Sequence, residues 1–317
     1  MTPVLVTGGT GFIGSHLVEK LLKGNEVTVL DNFSSGRREY LAPFLENQDF
    51  HLVEGDLLDV DALQEAVAGK DQIFHVAANP DVKLGAKDTR VHLNQNILAT
   101  YNLLEEMRKA DVRRIAFTST STVYGEAETV PTPEDYGPLQ PISLYGASKL
   151  SCEALISSYC HTFEMQSWIY RFANIVGERG THGVIVDFIR KLQEDPNELE
   201  ILGSGKQRKS YLEIKDCVRA MVHCVENSLD ETNIFNIGSE DSVDVTGIAD
   251  IVAEKMDLEE VNYRYMGGVD GRGWKGDVKV MQLSIEKIKR LGWTPKLNSA
   301  QAIEAATEAL LRDAEEP

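Results

Sequence analysis

The sequence predicts an α/β protein with a doubly wound parallel sheet in its first half and a smaller, less regular C-terminal α/β unit. Three observations carry this. Short runs rich in β-branched residues alternate with segments of helical periodicity, a glycine-rich turn joins the first run to the first helix, and the alternation loosens after Asn174. The strand runs are Val4–Thr7, Glu26–Leu30, Phe50–Glu54, Gln72–Val76, Arg114–Thr118 and Ser167–Arg171. Helical periodicity runs over Gly14–Lys23, Asp61–Ala68, Asn94–Lys109 and Leu144–Thr162. Further on, helices are expected at Val184–Glu194, Asp216–Asn227 and Ser242–Met256, with a strand at Asn233–Ile237 returning to the sheet. Two glycine-rich basic turns, Gly203–Lys209 and Gly267–Asp277, lie between them. The loop Glu126–Ile142 is too long for a plain connector, and such loops often carry function.

The 317 residues carry 50 acidic against 32 basic side chains, a formal charge of -18. That surface repels nucleic acid and anionic membranes, which argues against both as partners. It also repels anionic ligands, so any phosphate site must be locally basic or built from backbone N–H groups. Cys152, Cys160, Cys217 and Cys224 form no CxxC, which predicts buried thiols and no metal site. The start shows no signal-peptide pattern and no run of about 18 apolar residues occurs, so a cytoplasmic protein is expected.

Gly8, Gly11 and Gly14 lie between the first strand and the first helix. Glycines there let the backbone approach a pyrophosphate, and the helix N-terminus adds N–H groups and positive dipole. Glycine turns also simply join strands to helices; what sharpens the reading is Asp31, ending the next strand. Its carboxylate can accept from an adenosine ribose and repels a 2′-phosphate, which favours NAD over NADP. Arg37 and Arg38 nearby weigh the other way. Asp56 could bond the adenine amino group or cap a helix. Ala77 and Ala78 permit close cofactor approach, and His75 reads as a packed strand-end histidine.

Tyr145 and Lys149, at i and i+4, share a helix face. An ammonium and a nicotinium charge together pull a phenol towards neutrality, so Tyr145 can act as general base and acid at a hydroxyl. A second Tyr-x-x-x-Lys, Tyr211 to Lys215, reads as an ordinary surface pattern. Context separates them: Tyr145 follows the strand end Thr118-Ser-Thr-Ser-Thr-Val-Tyr-Gly125, whose Thr120 is placed to bridge Tyr145 and a substrate oxygen.

Gly8-x-x-Gly11-x-x-Gly14, Asp31, the Thr118–Gly125 segment, Tyr145-x-x-x-Lys149 and Arg171-Phe-Ala-Asn174 together resemble an extended short-chain dehydrogenase/reductase, a Rossmann-like fold. The likeness is strongest to nucleotide-sugar epimerases of the UDP-glucose 4-epimerase type and covers essentially the whole chain. It implies NAD bound along Gly8, Gly11, Phe12, Ile13 and Gly14, along Asp31, Asn32, Asp56 and Leu57, and against Ala77, Ala78 and Thr118. Asn96 would hold the cofactor-proximal backbone, and Lys149 also the nicotinamide ribose. The implied NAD domain is 1–173 with 208–238, and the nucleotide-sugar domain is 174–207 with 239–317, closing over the sheet's carboxyl edge. For a UDP-sugar, Asn174 and Lys209 (or its neighbour Arg208) would meet phosphate, Glu200 and Leu202 the uracil, and Arg272 and Asp277 phosphate and ribose. Met281, four residues beyond Asp277, would gate the sugar's C2 substituent. Members often form homodimers through two helices, here Asn94–Lys109 and Leu144–Thr162.

The resemblance also narrows the reaction. Dehydratases of the family carry Asp-Glu directly after the catalytic Thr; Ser121 and Thr122 stand there and cannot expel a C6 hydroxyl. UDP-glucose/UDP-galactose 4-epimerisation is therefore expected. Acetamido-sugar epimerisation and UDP-glucuronate decarboxylation, which needs few added groups, stay open, as does a non-catalytic NAD sensor.

Overall fold

The computed structural model describes residues 1–268, 273 and 277–315. Its first elements are β1 (Thr2–Thr7), α1 (Phe12–Leu21), β2 (Asn25–Asp31), β3 (Phe50–Glu54), α2 (Val60–Val67), β4 (Gln72–His75), α3 (Arg90–His92), α4 (Ala99–Lys109), β5 (Arg114–Thr120), α5 (Leu144–Phe163) and β6 (Gln166–Phe172). There follow β7 (Asn174–Val176), α6 (Val184–Glu194), β8 (Glu198–Leu202), β9 (Arg208–Lys209), β10 (Tyr211–Glu213), α7 (Ile214–Asn227), β11 (Thr232–Ile237), β12 (Val243–Asp244), α8 (Val245–Lys255), β13 (Asn262–Met266), β14 (Val280–Met281), α9 (Glu286–Arg290) and α10 (Ser299–Glu315).

The chain divides into two compact units. The first holds 1–123, 143–171 and 221–235. It is built on the parallel seven-stranded sheet, in the order β11-β6-β5-β4-β1-β2-β3. The order reverses between β1 and β4, which opens the crevice that doubly wound sheets use for ligands. Parallel strands are covered on both faces, and the inner strands β4 and β5 are buried almost throughout. One face buries Leu5, Ile73, Ile115 and Ile169 of the strands against Leu63 of α2, Leu103 and Met107 of α4, and Ile156 of α5.

The second unit holds 124–142, 172–220 and 236–317. It contains small sheets, β7 with β10, β8 with β13, and β9 between β12 and β14. Its core joins Phe188 of α6, Ile201 of β8, Ile248 of α8 and Ile303 of α10. The long loop expected at Glu126–Ile142 is strapped down within this unit. Asn236 receives the Tyr124 hydroxyl on its Oδ1 (2.7 Å) and donates to the carbonyls of Thr132 (2.9 Å) and Ser284 (3.1 Å). Thr132 in turn exchanges backbone bonds with Gln282 and Ser284.

Most expected elements appear within a residue or two. The exceptions have local causes. The expected helix Ser242–Met256 starts later, because Val243 and Asp244 pair with β9 and the Asp244 carboxylate then caps α8 at Gly247 N–H. The expected helix Asn94–Lys109 opens as a π-helical stretch, Leu93–Leu98, before turning α-helical. Its extra residue per turn rotates Asn96 inward, where it is buried. Helix α10 was not expected, although Ile303, Ala306 and Leu310 recur at helical spacing. All four cysteines are buried free thiols. Among the described residues no helix is long and apolar enough to cross a membrane.

Gly→Ala inside a helix ordinarily stabilises by up to about 1 kcal/mol. A Cβ on Gly14 in α1 would stand 2.0 Å from the Gly8 carbonyl oxygen. Gly14→Ala should therefore lower the melting temperature by calorimetry, reversing the usual sign.

Candidate active site

In the first unit, β1 delivers the chain to a turn that only small residues can make. Gly8 takes a left-handed φ of +72°, and a Cβ on it would lie 2.7 Å from Ala77 Cα. Gly11 is the N-cap of α1 and has no side chain to occupy the helix's unpaired N–H groups. Phe12 and Ile13 follow, and the first turn of α1 holds no acidic residue. This terminus offers donors and positive dipole with nothing anionic competing, so the turn fits a pyrophosphate.

Asp31 ends β2 and is buried. Its Oδ2 accepts from Thr10 N–H and its Oδ1 from Phe33 N–H, both at 2.9 Å. A carboxylate has about four lone-pair sites, so capacity remains for ribose hydroxyls. Asn32 donates to Asp56 Oδ2 at 2.6 Å, while Asp56 Oδ1 holds Leu58 N–H. The helix-cap alternative for Asp56 is corrected: Asp59 caps α2. Leu57 is buried beside it. Arg38, which weighed against NAD, is engaged elsewhere, paired with Glu54 and stacked 3.6 Å over the Phe33 ring.

On the next strand end, Thr7 Oγ1 meets His75 Nδ1 at 2.8 Å and Thr100 Oγ1 meets Nε2 at 3.0 Å. Burial, aided by the Lys149 charge, depresses His75 to about 3, so it is a neutral packing residue. Ala77 N–H bonds the Thr7 carbonyl, and Ala78 beside it is half-buried. Asn96 clasps Asn79, accepting from its N–H (2.8 Å), donating to its carbonyl (3.3 Å), and also donating to Ser148 Oγ (2.9 Å). It thus ties the loop after β4 to α5.

The expected acid–base groups stand where β5 ends and α5 begins. Ser143 caps α5 through Gly146 N–H, which sets Tyr145 in the first turn and Lys149 one turn on. Lys149 is buried and donates to the Thr118 carbonyl at 2.8 Å, with its ammonium 4.7 Å from the Phe117 ring centre. Burial lowers it from its ordinary 10.5 to about 8. Thr120 Oγ1 accepts from Thr122 N–H and Oγ1, both at 3.2 Å, and a Thr120 hydrogen bond favours the Tyr145 phenolate. Burial still wins and pushes Tyr145 up to about 12. The expected phenol near neutrality is therefore not produced by these side chains alone. The Lys149 ammonium is turned onto a backbone carbonyl, and the phenolate's lost hydration outweighs one hydrogen bond.

The second tyrosine–lysine pair is corrected too. Tyr211 lies in β10 and is buried, whereas Lys215 lies on α7 and is exposed, so they share no helix face.

Sequence reasoning missed the neighbours of Lys149. Glu153, one turn further along α5, takes a buried ion pair from Arg171 of β6 (2.7 Å) and a hydrogen bond from Ser119 of β5. Its i+4 spacing from Lys149, on the same helix face, was the signal available.

The remaining expected residues lie in the second unit. Lys209 pairs with Asp277 at 2.6 Å, so two of them hold each other; Asp277 also accepts from Gly273 N–H. Met281 is buried and stands opposite Lys209 in the β9–β14 pairing. Asn174 caps the Ser210 carbonyl through its backbone N–H and, at 3.4 Å, its amide. Glu200 and Leu202 are on the outward side of β8. Arg208 bonds Ser242 instead. Arg272 lies outside the described residues.

Residues 4–238 match the model of the NAD dependent epimerase/dehydratase family. The chain is 33% identical over 308 residues, 95% of each chain, to a putative UDP-glucose 4-epimerase of Methanocaldococcus jannaschii. It is 30% identical to UDP-glucuronic acid decarboxylase 1 of Arabidopsis thaliana, covering 95% of this chain and 68% of that one. A crystal structure of a UDP-galactose 4-epimerase superposes with a TM-score of 0.87 at 42% identity, covering 98% of this chain and 99% of the other. The chain belongs to the NAD-dependent epimerase/dehydratase family, an extended short-chain dehydrogenase/reductase of Rossmann-like fold.

Tyr145→Phe should cut turnover at least about 10²-fold while bound NAD is retained, since general acid–base loss alone costs that much. Tyr211→Phe should be nearly silent, and steady-state assays of both decide between them. A second expectation follows from Lys149. Its folded value of about 8 lies below its ordinary 10.5, so burying the charge costs stability below about pH 8, and that cost fades as pH rises towards 10.5. Lys149→Met should therefore melt higher than wild type near pH 7, with the advantage shrinking above pH 8, while activity is lost.

Proposed function

We propose that this enzyme interconverts UDP-glucose and UDP-galactose at C4. The observation that carries the reading is the group of buried Thr120 and Lys149 with half-buried Tyr145, where β5 ends and α5 begins, in the same unit as a glycine turn and Asp31 fitted to NAD. Bound NAD supplies the hydride acceptor and donor, and a nicotinium charge that favours the phenolate. Tyr145 removes the proton of the C4 hydroxyl, Thr120 holds that oxygen by a hydrogen bond, and Lys149 stabilises the anion. When the 4-keto sugar has turned over, Tyr145 returns the proton to the opposite alcohol. Ser121 and Thr122 offer no second acid–base pair, which supports epimerisation over dehydration.

In the second unit we assign Asn174, Lys209 and Arg272 to the phosphates, Glu200 and Leu202 to the base, and Asp277 to the ribose. Lys209 and Asp277, bonded to each other, keep both groups ordered for that task. Decarboxylation of UDP-glucuronate is the second reading, favoured by the similarity to the Arabidopsis enzyme. A homodimer through α4 and α5 is supported by Leu98, Tyr101 and Phe163, apolar side chains each about two-fifths exposed.

Incubation with UDP-glucose, UDP-galactose, UDP-N-acetylglucosamine and UDP-glucuronate, followed by product NMR, tests this. The first two should interconvert without stoichiometric added NAD⁺, and denatured enzyme should release NAD. The acetylated sugar should react more slowly, since methionine at 281 is intermediate in volume and can yield. Met281→Gly should raise the acetylated-to-plain ratio of kcat/KM and Met281→Tyr should abolish acetylated turnover. A pentose product with release of CO₂ would replace the epimerase reading by the decarboxylase one.

A further inference from the structure

Three consecutive residues at the end of β5 engage one face of α5. The Thr118 carbonyl takes Lys149, the Ser119 hydroxyl takes Glu153, and the Thr120 hydroxyl takes Tyr145. Positions 145, 149 and 153 are successive i+4 neighbours on one helix. Glu153 is the end of that row, and both of its oxygens are used: Oε1 by Ser119 and Arg171 Nε (3.1 Å), Oε2 by Arg171 Nη2 (2.7 Å) and Nε (3.2 Å). Both side chains are 4% exposed.

Docking alone does not call for charge here. Apolar residues of similar volume hold buried contacts as well as or better than an ion pair, whose desolvation offsets its attraction. What distinguishes this pair is its place, one helical turn from a buried ammonium. Lys149 is faced by His75 on β4 and His92 on α3, whose protonation it disfavours, by Phe117 and Thr118 on β5, and by Cys152 and Glu153 on its own helix. His75 is held neutral and Cys152 is pushed up by burial. Glu153 is therefore the carboxylate of this group, and Arg171 of β6 supplies its balancing cation.

We propose that Glu153, held by Arg171 and Ser119, is a positioning residue that sets the charge balance in which Lys149 and Tyr145 exchange the substrate's proton. Glu153 touches neither substrate nor cofactor in this scheme and acts by its own charge, across one helical turn on Lys149 and across two on Tyr145. The burial that drives Lys149 down is opposed by Cys152 and by the Glu153 charge. Removing that charge and leaving Arg171 bare favours neutral lysine and ionised phenol, lowering both midpoints. Removing Arg171 alone does the opposite. A purely mechanical brace would give no such opposition of sign.

The inference rests on the acid–base role given to Tyr145 above. Its test is a tyrosinate difference titration of the purified enzyme with its cofactor, Tyr145→Phe serving as the blank, run beside pH–rate profiles. Glu153→Gln should lower the Tyr145 midpoint by less than the unit or more that a contacting charge produces, because two helical turns separate positions 145 and 153. Arg171→Gln should raise it by a similar amount. The double variant carries no unpaired buried charge and should fall between Glu153→Gln and wild type. If either single variant fails to fold, the double one decides: Glu153 is on Lys149's own helix, so its midpoint should still lie below wild type. Coincident midpoints with lowered melting temperatures would leave Glu153 a structural brace and overturn the proposal. Wild type that turns over no UDP-sugar would count instead against the epimerase reading, because the titration needs no turnover.

Discussion

The first unit is organised around one costly placement, an ammonium buried at the end of β5. Lys149 gives up its hydration shell for the Thr118 carbonyl, a ring face and the charge of Glu153. Such a group is tolerated only when the surrounding structure fixes its partners. The Ser119–Glu153 hydrogen bond ties α5 to β5, the Glu153–Arg171 pair ties it to β6, and Ile156 seats it in the core. Tyr145 and Thr120 inherit their positions from the same constraint. The cost there is offset by the core beneath, where Leu5, Ile73, Ile115 and Ile169 of the strands are packed against Leu63, Leu103 and Ile156 of three helices.

The cofactor end follows a different logic. There the chain gives up side chains rather than burying charge. Gly8 and Ala77 approach so closely that neither position can grow, and Gly11 leaves the start of α1 unfilled. Asp31 is oriented by two backbone N–H groups, from Thr10 and Phe33. An acidic protein can thus receive an anionic dinucleotide, because attraction comes from backbone dipoles rather than from net charge.

The sheet was legible because its signals are local: β-branched runs, a glycine turn, an acid at a strand end. Phe50–Glu54 and Val184–Glu194 have the bounds that periodicity predicts. Tyr145 and Lys149 were legible because one helix carries both. What escaped depends on long-range pairing. Val243 and Asp244 could join a strand only because β9 lay beside them, and two-residue strands have no period to read. The π stretch at Leu93–Leu98 differs from an α-helix by one residue, which no hydrophobic pattern of that length resolves. Glu153 was overlooked because its partners come from two other strands. How strongly burial opposes ionisation of the Tyr145 phenol was not legible, because sequence shows which charges are near but not how much water is lost.

The short strand β14 has a consequence for how such an enzyme can diverge. Ser210 N–H holds the Met281 carbonyl, Arg208 N–H holds that of Lys279, and the Thr132 strap seizes the chain at Gln282 and Ser284. The main-chain path through 281 is therefore pinned on both sides of the residue and does not depend on its side chain. A single codon change there can resize the side chain while the backbone stays in register. With the gating role proposed for Met281, descendants could vary this one side chain while these main-chain bonds are kept.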